Sequence, residues 1–463
     1  MMKNTKRSMV LHSFYDRTGL ERHLARMAEK GWMLDRIGNF FWHYRRIEPK
    51  KLTFSVCYFP KASQFDPEPS AEQQMFYEFC AHAGWELAAA NAQLQVFCND
   101  QPDPVPIDTD PVTQVDCVHR TMMRSALPSQ AILALLAVMN LAMRIYDLIH
   151  DPITLLSTPA GLFAPACWVL LLLLIGVEWT GYFRWHHKAV LAAERGEFLE
   201  THSHRALQVG VLVVLAVGMA WFLLSVFASG DRMTTAMLLL MLFLYVPAVY
   251  LLVFGIRRFM KYMGAPAGLN RVVTLVGSFV LACAVLAAIT FGTIFALDRG
   301  WLDQDREPAA LPLTVDDLLD VDPGCYETNV FGDKGSMLLG RFTAYQSPRY
   351  DAPNRRELPT LYYTAVHVKV PFLYDLCREK LFHAQDSRND YDPDEWRYRY
   401  EPADPAPWGA REAYLLAVPA ESSYRCYLLC YEDRIVELHL NGHGDGWDPT
   451  PEQMAAVGEK LGG

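Results

Sequence analysis

The chain has 463 residues, with Lys+Arg 42, Asp+Glu 52 and 51% apolar residues, enough for roughly two or three domains of about 150 residues each. Charge is unevenly spread: residues 1–130 carry 15 basic and 15 acidic side chains, residues 131–297 carry 10 and 7, and residues 298–463 carry 17 and 30. A central third almost free of charge over long stretches excludes a purely soluble protein, a disordered chain and a collagen-like chain, and the acidic balance argues against nucleic-acid binding.

Residues 1–98 pattern as mixed α and β. A strand is expected over Ser8–Tyr15, then a helix over Asp16–Lys30 with Leu20, Leu24, Met27 and Ala28 at helical spacing and Gly31 as its stop. Strands are expected over Phe40–Arg45 and Leu52–Phe59, joined by a polar turn at Ile47–Lys51. Ser70 is the expected N-cap of a second helix over Glu72–Ala83, Gly84 its stop, and Leu94–Phe97 a last short strand. The order β-α-β-β-α-β predicts a small ferredoxin-like α+β sandwich with helices on one face.

Within this module Met27–Leu34 echoes Cys80–Leu87. In each copy a helix ends, Gly takes the left-handed cap, and Trp covers the helix end. Gly31, Trp32, Gly84 and Trp85 therefore read as a packing motif, with an exposed Trp as partner-binding anchor the alternative. The same residues carry a family resemblance. Leu24 to Leu34 follows a Leu-x-x-Met-Ala-x-x-Gly-Trp-x-Leu pattern, Phe40–Tyr44 and Phe54–Tyr58 supply an aromatic strand pair, and Gly84-Trp85 is a second Gly-Trp. In these features the chain resembles the bacterial domain of unknown function 2812 family over roughly residues 10–120. It departs from the family near Cys57, where an acidic residue is usual. The resemblance implies no established activity. It implies a module that often precedes membrane spans, and an envelope-linked regulatory role with a cytoplasmic regulatory protein as partner.

Residues 99–118, with Pro102, Pro104, Pro106, Pro111 and five Asp, read as a semi-rigid acidic linker, followed by a basic flank up to residue 130. Five runs then have the length and apolarity of membrane spans: Ala131–Ile149, Leu162–Phe183, Ala206–Ala228, Met237–Ile256 and Val272–Leu297. Arg120 and Arg124 precede the first. Arg184, Lys188, Arg195 and Arg205 lie between the second and third, and Arg257, Arg258, Lys261 and Arg271 between the fourth and fifth. The intervening loops are poor in Lys and Arg, so the positive-inside rule predicts a cell-membrane protein with a cytoplasmic N-terminus and residues 298–463 outside. The first 30 residues lack the apolar run of a cleavable signal peptide, and the first span is expected to act as the insertion signal. Arg144 and Asp147 share a helix face and read as an interfacial ion pair. Glu178, just before Trp179, Tyr182 and Trp185, reads as part of an interfacial belt. Pro247 predicts a kink. His186, His187, His202 and His204 read as a headgroup-facing loop rather than a metal site.

In residues 298–463, strands are expected over Leu361–Val370, Glu412–Val418, Arg425–Tyr431 and Ile435–Leu440, the last two forming a hairpin around Glu432-Asp433. Thr450 and Pro451 open a terminal helix. Val315–Leu319 is expected to be a short helix, Asp386–Pro407 an exposed loop and Asn441–Asp448 a plain turn. The whole predicts an acidic α+β domain on an antiparallel sheet. Cys426 and Cys430 lie on one side of a strand about 13 Å apart, too far to pair with each other. Pairing with Cys325 and Cys377 is open, with buried thiols the expectation. Cys57, Cys80, Cys98 and Cys117 lack a Cys-x-x-Cys spacing, and motifs for phosphate binding, serine hydrolysis or zinc proteolysis are absent. The expectation is a non-enzymatic protein of the lipid bilayer without cofactor or metal, linking an external sensing domain to a cytoplasmic partner. The alternatives are a transporter or transport-accessory subunit relying on Arg144 and Glu178, and an envelope enzyme using His367, His383 and His439.

Overall fold

In the computed structural model, five helices are long and apolar enough to cross a membrane: Pro111–His150, Pro159–Ala193, Arg205–Ala228, Met237–Tyr262 and Ala267–Ala296. The structure describes residues 4–38, 41–202, 204–228, 232–299, 311–384, 398–417, 424–442 and 447–463. The chain divides into two compact units. One comprises Met1–Met139, Cys167–Ala220 and Asp231–Asp303; the other comprises Asn140–Ala166, Trp221–Gly230 and Gln304–Gly463.

The N-terminal module opens with β1 (Thr5–Ser8), α1 (Arg17–Glu29), β2 (Trp32–Arg36) and β3 (Trp42–Arg46). It continues with β4 (Thr53–Tyr58), α2 (Ala71–His82), β5 (Glu86–Asn91) and β6 (Leu94–Asn99). Its strands form two three-stranded sheets, ordered β1-β3-β2 and β4-β6-β5, and every pairing is antiparallel. The expected single ferredoxin-like sheet is therefore corrected to one β-α-β-β unit occurring twice. A ferredoxin-like sheet sets the strands that precede its two helices side by side and parallel. Here each such strand closes instead on the hairpin that follows its own helix. The repetition reaches fine detail. The register shifts between Leu34 and Arg36 in one copy and between Leu87 and Ala89 in the other, and Gly31 and Gly84 take φ of 78° and 81°. A Cβ on Gly31 would lie 2.9 Å from the Ile47 carbonyl.

α1 buries Leu20, Leu24, Met27 and Ala28 in a core shared by both sheets, with Leu34 and Tyr44 from the first and Phe54, Val56, Tyr58 and Val96 from the second. Each Leu, Val, Phe or Met among them contributes about 1.5–3 kcal/mol by leaving water. Alternation along β4 and β6 turns Cys57 and Phe97 to the other face, where they meet Cys80 and Trp85 beneath α2. Trp85 is 3% exposed, and its Nε1 donates to the Val105 carbonyl at 2.9 Å. Trp32 is half-buried, with Arg46 and Lys6 over its ring at 5.1 and 5.6 Å. The strand expected over Ser8–Tyr15 is not formed there: β1 ends at Ser8, and residues 9–15 are non-strand; Phe40 lies outside the described residues.

α3 (Pro111–Thr121) passes through a π-helical turn, Met122–Ala126, into α4 (Leu127–His150). The basic flank is thus helical and continuous with the first long helix, 40 residues in all. α5 (Pro152–Leu156), α6 (Pro159–Ala193), α7 (Arg205–Ala228) and α8 (Arg232–Leu240) follow, and a second π-helical turn, Met241–Tyr245, leads into α9 (Val246–Tyr262), then α10 (Ala267–Asp298). Both wide turns directly precede an X-Pro pair, Leu127-Pro128 and Val246-Pro247. The disturbance predicted at Pro247 takes this form because proline lacks the N–H a regular turn needs, and a widened turn accommodates its ring.

The C-terminal domain is built on seven antiparallel strands: β7 (Tyr326–Gly335), β8 (Leu339–Pro348), β9 (Thr360–Val368), β10 (Arg399–Ala403), β11 (Glu412–Ala417), β12 (Tyr424–Cys430) and β13 (Arg434–Asn441). Their order is β10-β11-β12-β13-β9-β8-β7. α11 (Tyr374–Phe382) covers one face, over Leu428 and Ile435, with Ile153 of α5. The other face carries Leu429, Val436 and Leu438 beneath Trp408 and α12 (Pro451–Leu461). α12 starts with a reciprocal cap between Thr450 and Gln453. Val315–Leu319 forms turns rather than a helix, with Leu313, Val315 and Leu318 buried. The expected loop over Asp386–Pro407 contains β10, while residues 385–397 and 443–446 lie outside the described residues.

Candidate functional site at the junction of module and membrane helices

α6 has 35 residues, about 52 Å of helix against a hydrocarbon core about 30 Å thick. The segment joining β1 to α1 is built against the C-terminal half of this helix. Ser13 Oγ donates to Glu178 Oε2 at 2.7 Å, and Gln208 Nε2 reaches Ser13 Oγ at 3.5 Å. Glu178 is thus a hydrogen-bond partner of the module. Tyr15 is 1% exposed and packs against Tyr182 and Trp185, ring centroids 5.5 and 5.7 Å apart. Its hydroxyl donates to the His202 carbonyl at 3.4 Å. Gly181 permits this approach, since a Cβ there would lie 2.8 Å from Tyr15 Oη.

Asp16, 2% exposed, is the node of the junction. Its Oδ1 accepts from Gly19 N at 3.0 Å, capping α1, and from Thr201 Oγ1 at 3.0 Å. Its Oδ2 lies 3.1 Å from His12 Nδ1. Thr18 N donates to Thr201 Oγ1 at 2.9 Å, and Thr201 N donates back to Thr18 Oγ1 at 3.2 Å. A helix N-terminus leaves its first backbone donors without intrahelical partners. Here the loop after α6 helps satisfy them.

Burial, reinforced by the carboxylates of Glu178 and Asp16, pushes the Tyr15 phenol up to about 12. Burial and the neighbouring His12 pull His23 down to about 4, so its ring, 3.3 Å from the Tyr44 hydroxyl, is neutral at pH 7. Arg17 bonds Glu21 at 2.8 Å and also reaches Asp108. Burial alone would lower its pKa, and those two carboxylates hold it above the usual value. Glu21 also accepts from Val56 N at 2.9 Å, tying α1 to β4. A cleft of about 240 Å³ lined by Arg17, Asp108, Trp185, Phe198 and Glu200 opens beside this network.

A second attachment lies in the connection between β4 and α2. Arg257 Nη1 donates to Gln64 Oε1 at 2.7 Å, and the buried Asn270 donates from Nδ2 to the Phe65 carbonyl at 2.9 Å. Thr274 Oγ1 donates to Asn270 Oδ1 at 3.1 Å, and the Arg271 guanidinium lies 5.6 Å from the Phe65 ring centroid. Part of the basic charge at the ends of α9 and α10 is thus spent on the module.

The histidines of the α6–α7 region take separate roles. His186 stacks on His119 at 4.3 Å, His119 Nδ1 lies 2.7 Å from the Tyr182 hydroxyl, and His202 offers its carbonyl to Tyr15. Arg144 donates to Asp147 at 3.1 Å on α4. In the C-terminal domain, His367 pairs across the ladder with Arg434, and His439 with Tyr362. Five register steps, about 17 Å, therefore separate His367 from His439, beyond the reach of a shared catalytic site. Sequence reasoning singled out Glu178 as part of an interfacial belt rather than as a partner of the module, and did not single out Ser13, Asp16, Thr201, Gln64 or Asn270. Only Asp16 carried a signal, as an N-cap type directly before a helix.

No curated protein and no solved structure matches the chain. Residues 18–127, from α1 to the start of α4, match the family model described as Protein of unknown function (DUF2812).

Proposed function

We propose that the chain is a multi-span membrane regulator without catalytic activity of its own, in which displacement of the membrane helices is passed to the N-terminal module. The basic flanks favour a cytoplasmic module and, with five spans, a C-terminal domain on the outer side. The observation that carries the reading is the shared cap of α1, where Asp16 and Thr201 together complete its first turn. Hydrogen bonds weaken steeply once stretched or misaligned. An ångström-scale shift of α6 and its following loop therefore changes the stability of that turn. Regulation of this kind requires a ligand or partner that favours one arrangement of the helices over another.

The test uses the full-length chain. In intact cells an impermeant maleimide is expected to label Tyr350→Cys, at a site 88% exposed, and to label Gln101→Cys only after permeabilisation. The reverse pattern overturns the orientation. In lipid nanodiscs, Glu178→Ala is expected to raise amide exchange in the first turn of α1 by roughly tenfold or more, as loss of a buried hydrogen bond implies. Unchanged exchange overturns the coupling. Cross-linking in native membranes is expected to recover a cytoplasmic protein bound to the wild-type chain and less of it with Glu178→Ala. Recovery of none overturns the regulatory role.

A further inference from the structure

The hairpin of β12 and β13 sets Cys426 directly opposite His439, with Glu437 two residues away on the same face. Cys426 Sγ lies 3.9 Å from His439 Nε2, and His439 Nε2 lies 3.4 Å from Glu437 Oε1. The three donor atoms all fall within 4.8 Å of one another, the one convergence of this kind among the described residues. Tyr400 reaches across from β10, its hydroxyl 3.4 Å from Cys426 Sγ and 3.5 Å from Glu437 Oε1. Cys426 is fully buried, and the side chains of Glu437 and His439 are 14% and 15% exposed. The ring of Tyr362 stands edge-on to that of His439, centroids 4.8 Å apart, which fixes the imidazole plane.

We propose that Cys426, Glu437 and His439 bind one divalent cation of the Zn²⁺ type, with Tyr400 or a water as the fourth ligand. Bonds of about 2.3 Å to sulfur, 2.0–2.1 Å to nitrogen and 2.0–2.2 Å to oxygen, set tetrahedrally, place S and N about 3.6 Å apart and N and O about 3.4 Å apart. The observed separations of 3.9 and 3.4 Å differ by a few tenths of an ångström, within the range of small side-chain rotations. The donor set selects the metal. A thiolate and an imidazole suit Zn²⁺, whereas Mg²⁺ and Ca²⁺ take oxygen ligands. On binding, the Cys426 thiol proton leaves to solvent and the thiolate bonds the cation. His439 coordinates through the Nε2 lone pair, any proton there also leaving to solvent. The cation would join the two strands of the hairpin and, through Tyr400, the edge strand β10. The competing arrangement is a hydrogen-bonded His439–Glu437 pair beside a neutral thiol, and it binds no metal.

The experiment uses the full-length chain in detergent, purified on a tag without histidine. Zn²⁺ is titrated against a chromophoric chelator, and Co²⁺ is added as a spectroscopic probe. Expected are about one Zn²⁺ per chain and a Co²⁺ spectrum with tetrahedral d–d bands and a thiolate-to-metal charge-transfer band. Cys426→Ser should abolish the charge-transfer band, and Cys430→Ser, on the same strand, should leave it unchanged. Glu437→Gln, nearly isosteric, keeps the site readable should Cys426→Ser fail to fold; it should weaken Zn²⁺ binding roughly 10–100-fold or more with circular dichroism unaltered. Absence of saturable Zn²⁺ binding by the wild type overturns the proposal. So does a Co²⁺ spectrum without thiolate charge transfer, which would place the metal among histidines elsewhere. Unchanged affinity in Glu437→Gln likewise overturns the three-residue site.

Discussion

Replacing Asp16 with Ala should loosen the first turn of α1 while leaving the rest of the module folded. Two losses add. Removing an N-cap carboxylate costs about 1 kcal/mol, within a range of roughly 0.5–2. The Thr201 hydroxyl, in a residue 5% exposed, loses its acceptor, which costs about 1–2 kcal/mol. The sum of about 2–3 kcal/mol corresponds to roughly 30- to 150-fold more frequent opening. Asp16→Asn retains a capping oxygen for Gly19 and Thr201 and should cost less than about 1 kcal/mol. Thr201→Val deprives Thr18 N of its acceptor and should cost about 1–2 kcal/mol. Because both substitutions remove the same hydrogen bond, the double variant should cost less than the two single costs together. Hydrogen exchange of the full-length chain in nanodiscs reads all four variants, with α2 as internal control. Exchange in α1 of Asp16→Ala within about threefold of wild type, against the 30-fold floor above, would refute the shared cap. Equal loosening of α2 would show general destabilisation instead.

The neutral state of His23 gives the module a definite pH dependence. Its folded pKa, about 4, lies below the ordinary 6.5, so the unfolded chain binds the proton more readily between those values. This contribution to stability is complete above pH 6.5 and is lost as pH falls through that window towards 4. Urea midpoints of the module's exchange transition should fall from pH 7 to pH 5, and His23→Gln should flatten the slope; an equal slope in the variant contradicts the assignment. Gly181→Ala would ordinarily favour a helix by about 1 kcal/mol. Here the new Cβ meets Tyr15 Oη at 2.8 Å, so the variant should melt lower, and adding Tyr15→Phe should restore part of the loss by removing that oxygen. A higher melting temperature for Gly181→Ala alone would contradict the close approach.

What the sequence made legible was local. Ser70, Thr450 and Pro451 announce helix starts because capping acts within one turn, and Gly31 and Gly84 announce helix ends because their backbone needs a left-handed residue. The long apolar runs needed only length and composition. What stayed hidden was pairing. Strand content alone does not say whether β1 lies beside β4 or closes on β3, and the ferredoxin-like expectation failed at that choice and in its strand count, which left out β2 and β5. β7 and β8 escaped because Gly332, Gly335 and Gly340 interrupt their alternation. Thr201 gave no sign of serving Asp16, since nothing in a lone threonine names a distant partner. The Cys426–His439 pair was recoverable in principle: a two-residue turn at Glu432-Asp433 makes Tyr431 face Arg434 and, counting outward, Cys426 face His439.

Besides the packing of α3 and the start of α4 on its core, the module is attached to the long helices at equivalent places in its two copies. In the first copy the membrane helices engage the connection from β1 to α1, through Ser13, Asp16 and Thr18. In the second copy they engage the equivalent connection from β4 to α2, through Gln64 and Phe65. The first connection grips α6 and its following loop; the second grips the ends of α9 and α10. A module tied at one point would follow its helix as a rigid body and carry no internal change. On the regulatory reading proposed above, a module tied at such equivalent points to different helices would take up displacement of α6 relative to α9 and α10 as shear between its copies. The core shared by the two sheets around α1 must absorb that shear. Packed cores resist continuous deformation and shift between discrete arrangements. On the proposed regulatory reading, the same duplicated geometry that repeats the anchor would give a displacement of helices a route to a change of state in the module.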